Sequence, residues 1–230
     1  MTNDIKKLIW IGVAAIIVIA GGILAYNATK PPQILTQADP KLLSNENSHS
    51  TENGTLSYPV TMVEFGDYQC PACGYAQPIV EKVLADNPKV KLISRNFPLA
   101  QHQNALVAAE AAEAAGAQGK FWEMHKALYT NQDIWSTMAT PMDAFVEMAK
   151  QLNLDVEKFK QDVQANKFAD IITKDRNDGI ALGINSTPSF FINGKLYMGG
   201  LSYVTMQAAL NQAAGITTDT QQTTQQSTQQ

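Results

Sequence analysis

Cys70 and Cys73 are the two cysteines of a 230-residue chain, and they stand as Cys70-Pro71-Ala72-Cys73. Such a pair has four chemical readings. Half of a zinc site would need further ligands to reach four. His49, His102 and His125 complete no such set at a recognised spacing. A c-type haem attachment would need a histidine directly after the second cysteine, where Gly74 stands. A structural bridge across so short a loop removes little entropy from the unfolded chain. The reading that remains is a redox-active dithiol.

The elements around the pair give this reading a physical cause. Val60 to Phe65 is a β-rich apolar run, the pattern of a buried strand, and Pro71 to Leu84 follows as a helix. Cys70 therefore falls at a helix N-terminus. Free backbone N–H groups and the positive end of the macrodipole favour a thiolate there. A lowered pKa makes Cys70 both the nucleophile and the better leaving group. Cys73, one turn further in, is expected to be more buried and to resolve the mixed disulfide. Pro71 suits the first turn, and Pro78 is expected to kink the same helix.

Lys89 to Ser94 reads as the next strand, completing a strand–helix–strand unit. A helical stretch follows, with helices expected over Ala105–Ala115, Lys120–Tyr129, Pro141–Leu152, Val156–Gln164 and Phe168–Leu182. His102 is expected to begin or cap the first of these. Phe121, Trp122, Met124 and Tyr129 read as helix core, as do Trp135, Met138, Met142 and Met148. Ser189–Ile192 and Lys195–Met198 flank Asn193-Gly194, a strong hairpin signal. Ser202 is placed to cap a last helix. The order β-α-β, helices, β-β-α predicts an α/β thioredoxin fold over residues 57–215. A helical insertion, about 105–183, separates its halves, and the sheet is mixed.

The flanks carry a different message. Leu8 to Tyr26 has no charge and approaches the ~20 apolar residues that span a bilayer. Lys6 and Lys7 precede it, so residues 1–7 are expected in the cytoplasm and the rest outside. Ala20-Gly21-Gly22 offers the alternative of a cleaved signal peptide; both readings export the domain. Residues 27–56, rich in Asn and Ser around Pro31-Pro32, read as a weakly ordered tether. Residues 216–230 read as a disordered Gln/Thr-rich tail. The net charge of −4 argues against nucleic acid as a partner.

Three separated motifs agree in order: Phe65-Gly66-Asp67-Tyr68-Gln69-Cys70-Pro71-Ala72-Cys73, Arg95-Asn96-Phe97-Pro98-Leu99 and Thr187-Pro188-Ser189-Phe190-Phe191. Together they resemble the DsbA-like thiol–disulfide oxidoreductases, particularly the membrane-tethered forms, over residues 58–212. The resemblance implies that Pro188 is a cis-proline facing the dithiol. The Thr187 backbone would then be exposed beside Cys70, able to pair with an extended substrate strand. Glu64 matches the family's buried acid beneath the active site, where it would exchange a proton with Cys73. The alternative is an edge position with its carboxylate in water.

The implied activity is introduction of disulfides into reduced or unfolded exported proteins, without a cofactor. Reoxidation would fall to a membrane quinone-linked thiol oxidase. Pro-Ala replaces the Pro-His of the DsbA type, which removes one stabiliser of the thiolate. Two other readings stand beside it. One is a reductase or isomerase kept reduced, although no dimerisation module is evident and the chain is expected to act as a monomer. The other is a copper metallochaperone, for which no Met or His cluster is evident.

Overall fold

The computed structural model of the protein describes residues 33–45, 48–51, 59–198 and 201–216. Among the described residues the strands are β1 (Gln33–Gln37), β2 (His49–Ser50), β3 (Val60–Gly66), β4 (Val90–Asn96), β5 (Ser189–Ile192) and β6 (Lys195–Met198). They form one mixed sheet in the order β1-β6-β5-β3-β4-β2. The helices are α1 (Pro40–Leu43), α2 (Pro71–Asp86), α3 (Ala105–Gly116), α4 (Phe121–Thr130) and α5 (Gln132–Trp135). α6 (Met142–Gln151), α7 (Val156–Gln164), α8 (Ala169–Ala181) and α9 (Tyr203–Ala213) are the remaining helices among the described residues.

β3 is central and covered on both faces, which is why its sequence is a near-continuous apolar run. It pairs in parallel with β4, Met62 opposite Leu92, a pairing that requires the α2 crossover. On its other side it pairs antiparallel with β5, Glu64 opposite Phe190. β5 turns into β6 through Asn193 and Gly194, at φ 45° and 79°. Two successive positive φ angles match the twist of a two-residue hairpin. The expected thioredoxin fold, its mixed sheet and its insertion are therefore all present.

Strand periodicity decides what lies under the dithiol. Val60, Met62, Val80, Val83, Leu92, Phe190, Met206 and Leu210 pack together where α2 and α9 cover one sheet face. Val63, Phe65, Ile93, Phe97 and Phe191 pack on the opposite face. Glu64 shares the parity of Val60 and Met62, so it points toward α2. α8 closes on the opposite face at Gly179, where a Cβ would stand 2.7 Å from the Phe97 ring. The insertion has its own core: alanines of α3 with Met124, Leu128, Trp135, Phe145 and Phe159. Cys70 and Cys73 belong to this cluster. The insertion, more than the sheet, walls in the dithiol.

A buried ion network fixes α8 to the sheet. Arg95 donates to Asp175 at 2.7 Å and Asp178 at 2.5 Å, and to the Leu42 carbonyl at 2.8 Å. The guanidinium is fully buried and all three contacts satisfy it.

Some expectations need correction. Over its described part, the stretch 27–56 is not a weakly ordered tether, because it contributes β1, α1 and β2. β2 pairs antiparallel with β4, His49 opposite Ser94. The His49 ring stacks on Phe121 with centroids 3.6 Å apart, and its Nε2 meets Glu113 at 2.8 Å. These contacts order a strand too short to show a period. α5 was not expected. His102 does not cap α3, whose N-cap is Asn104, because its ring is held by Asp67 at 2.7 Å. α2 runs from Pro71 to Asp86 as one helix with Pro78 inside it. The expected anchor over 8–26, residues 1–7 and residues 217–230 lie outside the described residues. Among the described residues, no helix is long and apolar enough to cross a membrane.

Candidate active site

The turn that presents the cysteines is built by Asp67. Its carboxylate accepts from the Gln69 N–H at 2.8 Å, the Leu99 N–H at 2.9 Å and His102 at 2.7 Å. Its own N–H donates to the Cys73 sulfur at 3.5 Å. Gln69 continues the anchorage: it accepts from the Asn104 N–H at 2.6 Å and donates to the Ser136 carbonyl at 2.7 Å. Gln132 on α5 donates to the carbonyls of Tyr68 and Cys70, at 2.6 and 3.0 Å. The loop before α2 is thus held by two loops and by the insertion.

Cys70 is the N-cap of α2 and makes no side-chain cap hydrogen bond. The first N–H groups of the helix remain to face its sulfur. Both cysteines are free thiols and both are buried, Cys73 completely. Their acidities diverge. The Cys70 pKa falls to about 5, chiefly because the Cys73 thiol donates to it. Burial opposes that, and Thr187 and the N–H groups of Cys73 and Ala72 reinforce it. Burial pushes Cys73 well up, and its bond to Cys70 and the negative charge of Glu64 push further. One thiolate at Cys70 beside one thiol at Cys73 is the arrangement that results.

Thr187-Pro188 is a cis peptide bond, as the resemblance implied. It brings Thr187 to the dithiol, where its carbonyl oxygen stands 3.5 Å from the Cys70 sulfur. The Thr187 hydroxyl is buried and has no hydrogen-bond partner among the described residues. Glu64 is buried, 1 % exposed, which removes the edge-strand alternative. Burial raises its pKa to about 7, against the lowering effect of the Gln77 hydrogen bond. Gly66 keeps room above it, since a Cβ there would meet the Tyr129 hydroxyl at 3.0 Å and Glu64 Oε1 at 3.5 Å.

All five residues singled out from the sequence, Cys70, Cys73, Glu64, Thr187 and Pro188, thus converge on one site. Sequence reasoning missed Asp67, Gln77, Gln132 and His125. Gln77 stands one helical turn after Cys73 on a face otherwise apolar, which was a readable signal. No group of described His, Cys, Asp or Glu side chains could hold a metal ion.

A family model described as thioredoxin matches residues 46–212. Among curated proteins, the Na(+)/H(+) antiporter NhaA 1 of Salinispora arenicola is 38% identical over 161 residues, covering 70% of this chain and 24% of that protein. The chain spans about a quarter of the length of the curated relatives it matches. Among solved structures, a thioredoxin-like oxidoreductase from Silicibacter pomeroyi DSS-3 is 29% identical with a TM-score of 0.63, over 77% of this chain and 99% of that one. An alpha-DsbA1 variant from Wolbachia pipientis is 25% identical with a TM-score of 0.63, over 76% of this chain and 94% of that one. With a helix-capping dithiol, a cis-proline beside it and an acid buried beneath it, the chain belongs to the thioredoxin family.

Proposed function

We propose that the protein is an oxidase that gives its Cys70–Cys73 disulfide to reduced exported proteins. The observation that carries this reading is the split between the two thiols. Cys70 is drawn down to about 5 while Cys73 is pushed well up. A stabilised thiolate favours the reduced form, and closing the disulfide forfeits that stabilisation.

A substrate thiolate attacks the Cys70 sulfur, the S–S bond breaks, and Cys73 leaves as a thiolate. Glu64 in its acid form gives that thiolate a proton; a pKa near 7 suits exchange in both directions. The substrate's second thiolate then attacks the mixed disulfide. The substrate leaves oxidised by two electrons, and Cys70 remains as the thiolate. Extended substrate pairs with the backbone at Thr187, beside the sulfur. A separate disulfide carrier, a membrane quinone-linked thiol oxidase, takes the two electrons away. The apolar run Leu8–Tyr26, behind Lys6 and Lys7, anchors the domain on the extracytoplasmic side. Ala72 leaves the thiolate one stabiliser short, so the oxidant is weaker than a Pro-His relative.

Equilibration with glutathione buffers tests the direction of electron flow. The expected potential is clearly above the roughly −270 mV of thioredoxin. A value at or below that figure would replace the oxidase reading with a reductase.

A further inference from the structure

Beneath Glu64 lies a file of polar groups that the reaction above does not use. Tyr68 Oη stands 3.0 Å from His125 Nδ1. His125 Nε2 stands 3.2 Å from Gln77 Oε1. Gln77 Nε2 stands 3.3 Å from both oxygens of Glu64. Tyr68, Gln77 and His125 are all buried. They come from three places in the chain: the loop before the dithiol, α2 and α4.

The direction of the file is fixed by chemistry. An ionised Glu64 only accepts, so the amide N–H of Gln77 must face it. The Gln77 oxygen then needs a donor, and His125 supplies one through Nε2–H. A neutral imidazole has one N–H, so Nδ1 must accept, and the Tyr68 hydroxyl donates to it. Burial keeps this imidazole neutral, its pKa pressed down to about 3. Burial likewise holds the Tyr68 phenol protonated.

We propose that Tyr68, His125 and Gln77 act as positioning residues, a one-way hydrogen-bond chain that locks the Gln77 amide toward Glu64 and so readies Glu64 to take the Cys73 proton. The proposal rests on the reading of Glu64 as the base. Gln77 would be free to turn without His125, because its oxygen would have no buried partner. Glu64 is faced by Cys73 and Gln77 from α2, by Tyr129 from α4 and by Tyr68. Its partners on the neighbouring strands, Ser94 and Phe190, bring no charge. The acids Asp67, Glu113 and Asp175 act on the adjoining Tyr68 and Tyr129 and add only negative charge. The Gln77 amide is thus the group that supports ionised Glu64. His125 and Gln77 also line a cavity of about 370 Å³ between α2 and α4, with Val80, Leu92 and Trp122.

The test follows one reaction on the full chain. Cys70 is loaded as a mixed disulfide with glutathione. Its release is then timed against pH: Cys73 gives its proton to Glu64, attacks the Cys70 sulfur and expels glutathione thiolate. In the parent chain the rate should rise through a midpoint near 7. His125→Phe and Gln77→Leu should move that midpoint upward and slow release at pH 6 about tenfold, the size expected for losing a hydrogen bond to a charged group. Tyr68→Phe, which removes one hydroxyl, should move it the same way by less. His125→Gln, able to accept from Tyr68 and donate to Gln77, should restore it. If these variants keep the parent midpoint while Glu64→Gln abolishes the pH-dependent rise, the chain has no role and the base reading survives. If Glu64→Gln itself leaves the profile unchanged, the base reading fails and the positioning proposal falls with it.

Discussion

The sulfur of Cys70 lies 3.5 Å from the backbone carbonyl of Thr187, to which its thiol form donates, while the hydroxyl of that same threonine is buried with no hydrogen-bond partner among the described residues. Ionising Cys70 removes the donor from the first contact. The hydroxyl is then the group at this residue able to donate to the thiolate. Thr187→Val keeps the shape and removes that donor. Its Cys70 should ionise at higher pH than in the parent chain, which the pH dependence of alkylation measures. An unchanged midpoint would show that the hydroxyl plays no part.

Glu64 makes stability depend on pH in a direction set by its raised pKa. The folded value near 7 exceeds the ordinary 4.5. Its burial therefore costs nothing below about pH 4.5, and the cost grows as pH rises through 7. Glu64→Gln should stabilise the protein by about 3 kcal/mol at pH 8 and leave it nearly unchanged at pH 4. Urea melts at the two pH values would show the difference. An equal effect at both would mean that Glu64 is not a strained acid.

Gly74 faces Gln132. A Cβ there would stand 2.5 Å from Gln132 Oε1 and displace the amide that donates to Tyr68 and Cys70. Alanine in mid-helix normally adds roughly 0.5–1 kcal/mol. Losing the buried amide contacts costs about 1–3 kcal/mol. Gly74→Ala should therefore destabilise the protein, and in a Gln132→Ala background the same change should stabilise it. A stabilising effect in both backgrounds would remove Gln132 from its assigned place.

Arg95 neutralises Asp175 and Asp178 inside the fold. Arg95→Ala leaves two acids short of a buried partner and should cost about 3–5 kcal/mol. The loss should exceed that of Lys126→Ala, whose partner Glu81 is half exposed, several-fold. Chemical denaturation of both variants gives the comparison.

What could be read from the sequence was what local chemistry dictates. Val60 to Phe65 is a buried strand by composition alone, and Asn193-Gly194 fixes the hairpin. Cys70 caps α2 because Pro71 can start a helix. What stayed hidden depends on distant partners. β2 is two residues long and is ordered by Phe121, Glu113 and β4. His102 is held by Asp67, across the dithiol turn from it. His125 sits on the apolar side of α4, where its partners Tyr68 and Gln77 could not be guessed from spacing.

An oxidase requires the reduced protein to be the stabler form, with Cys70 held as a thiolate. Thermal melting of the reduced and oxidised full chain, at several pH values, tests it directly. The folded Cys70 pKa near 5 lies below the ordinary value of 9.0. Its contribution is therefore complete above about pH 9 and is lost as pH falls toward 5. Cys73, pushed up instead, does not offset it in this range. The reduced form should melt higher at pH 8, and the gap should close on acidification toward pH 5. An oxidised form that melts higher at pH 8, or a gap that does not change with pH, would rule out an oxidase driven by the Cys70 thiolate.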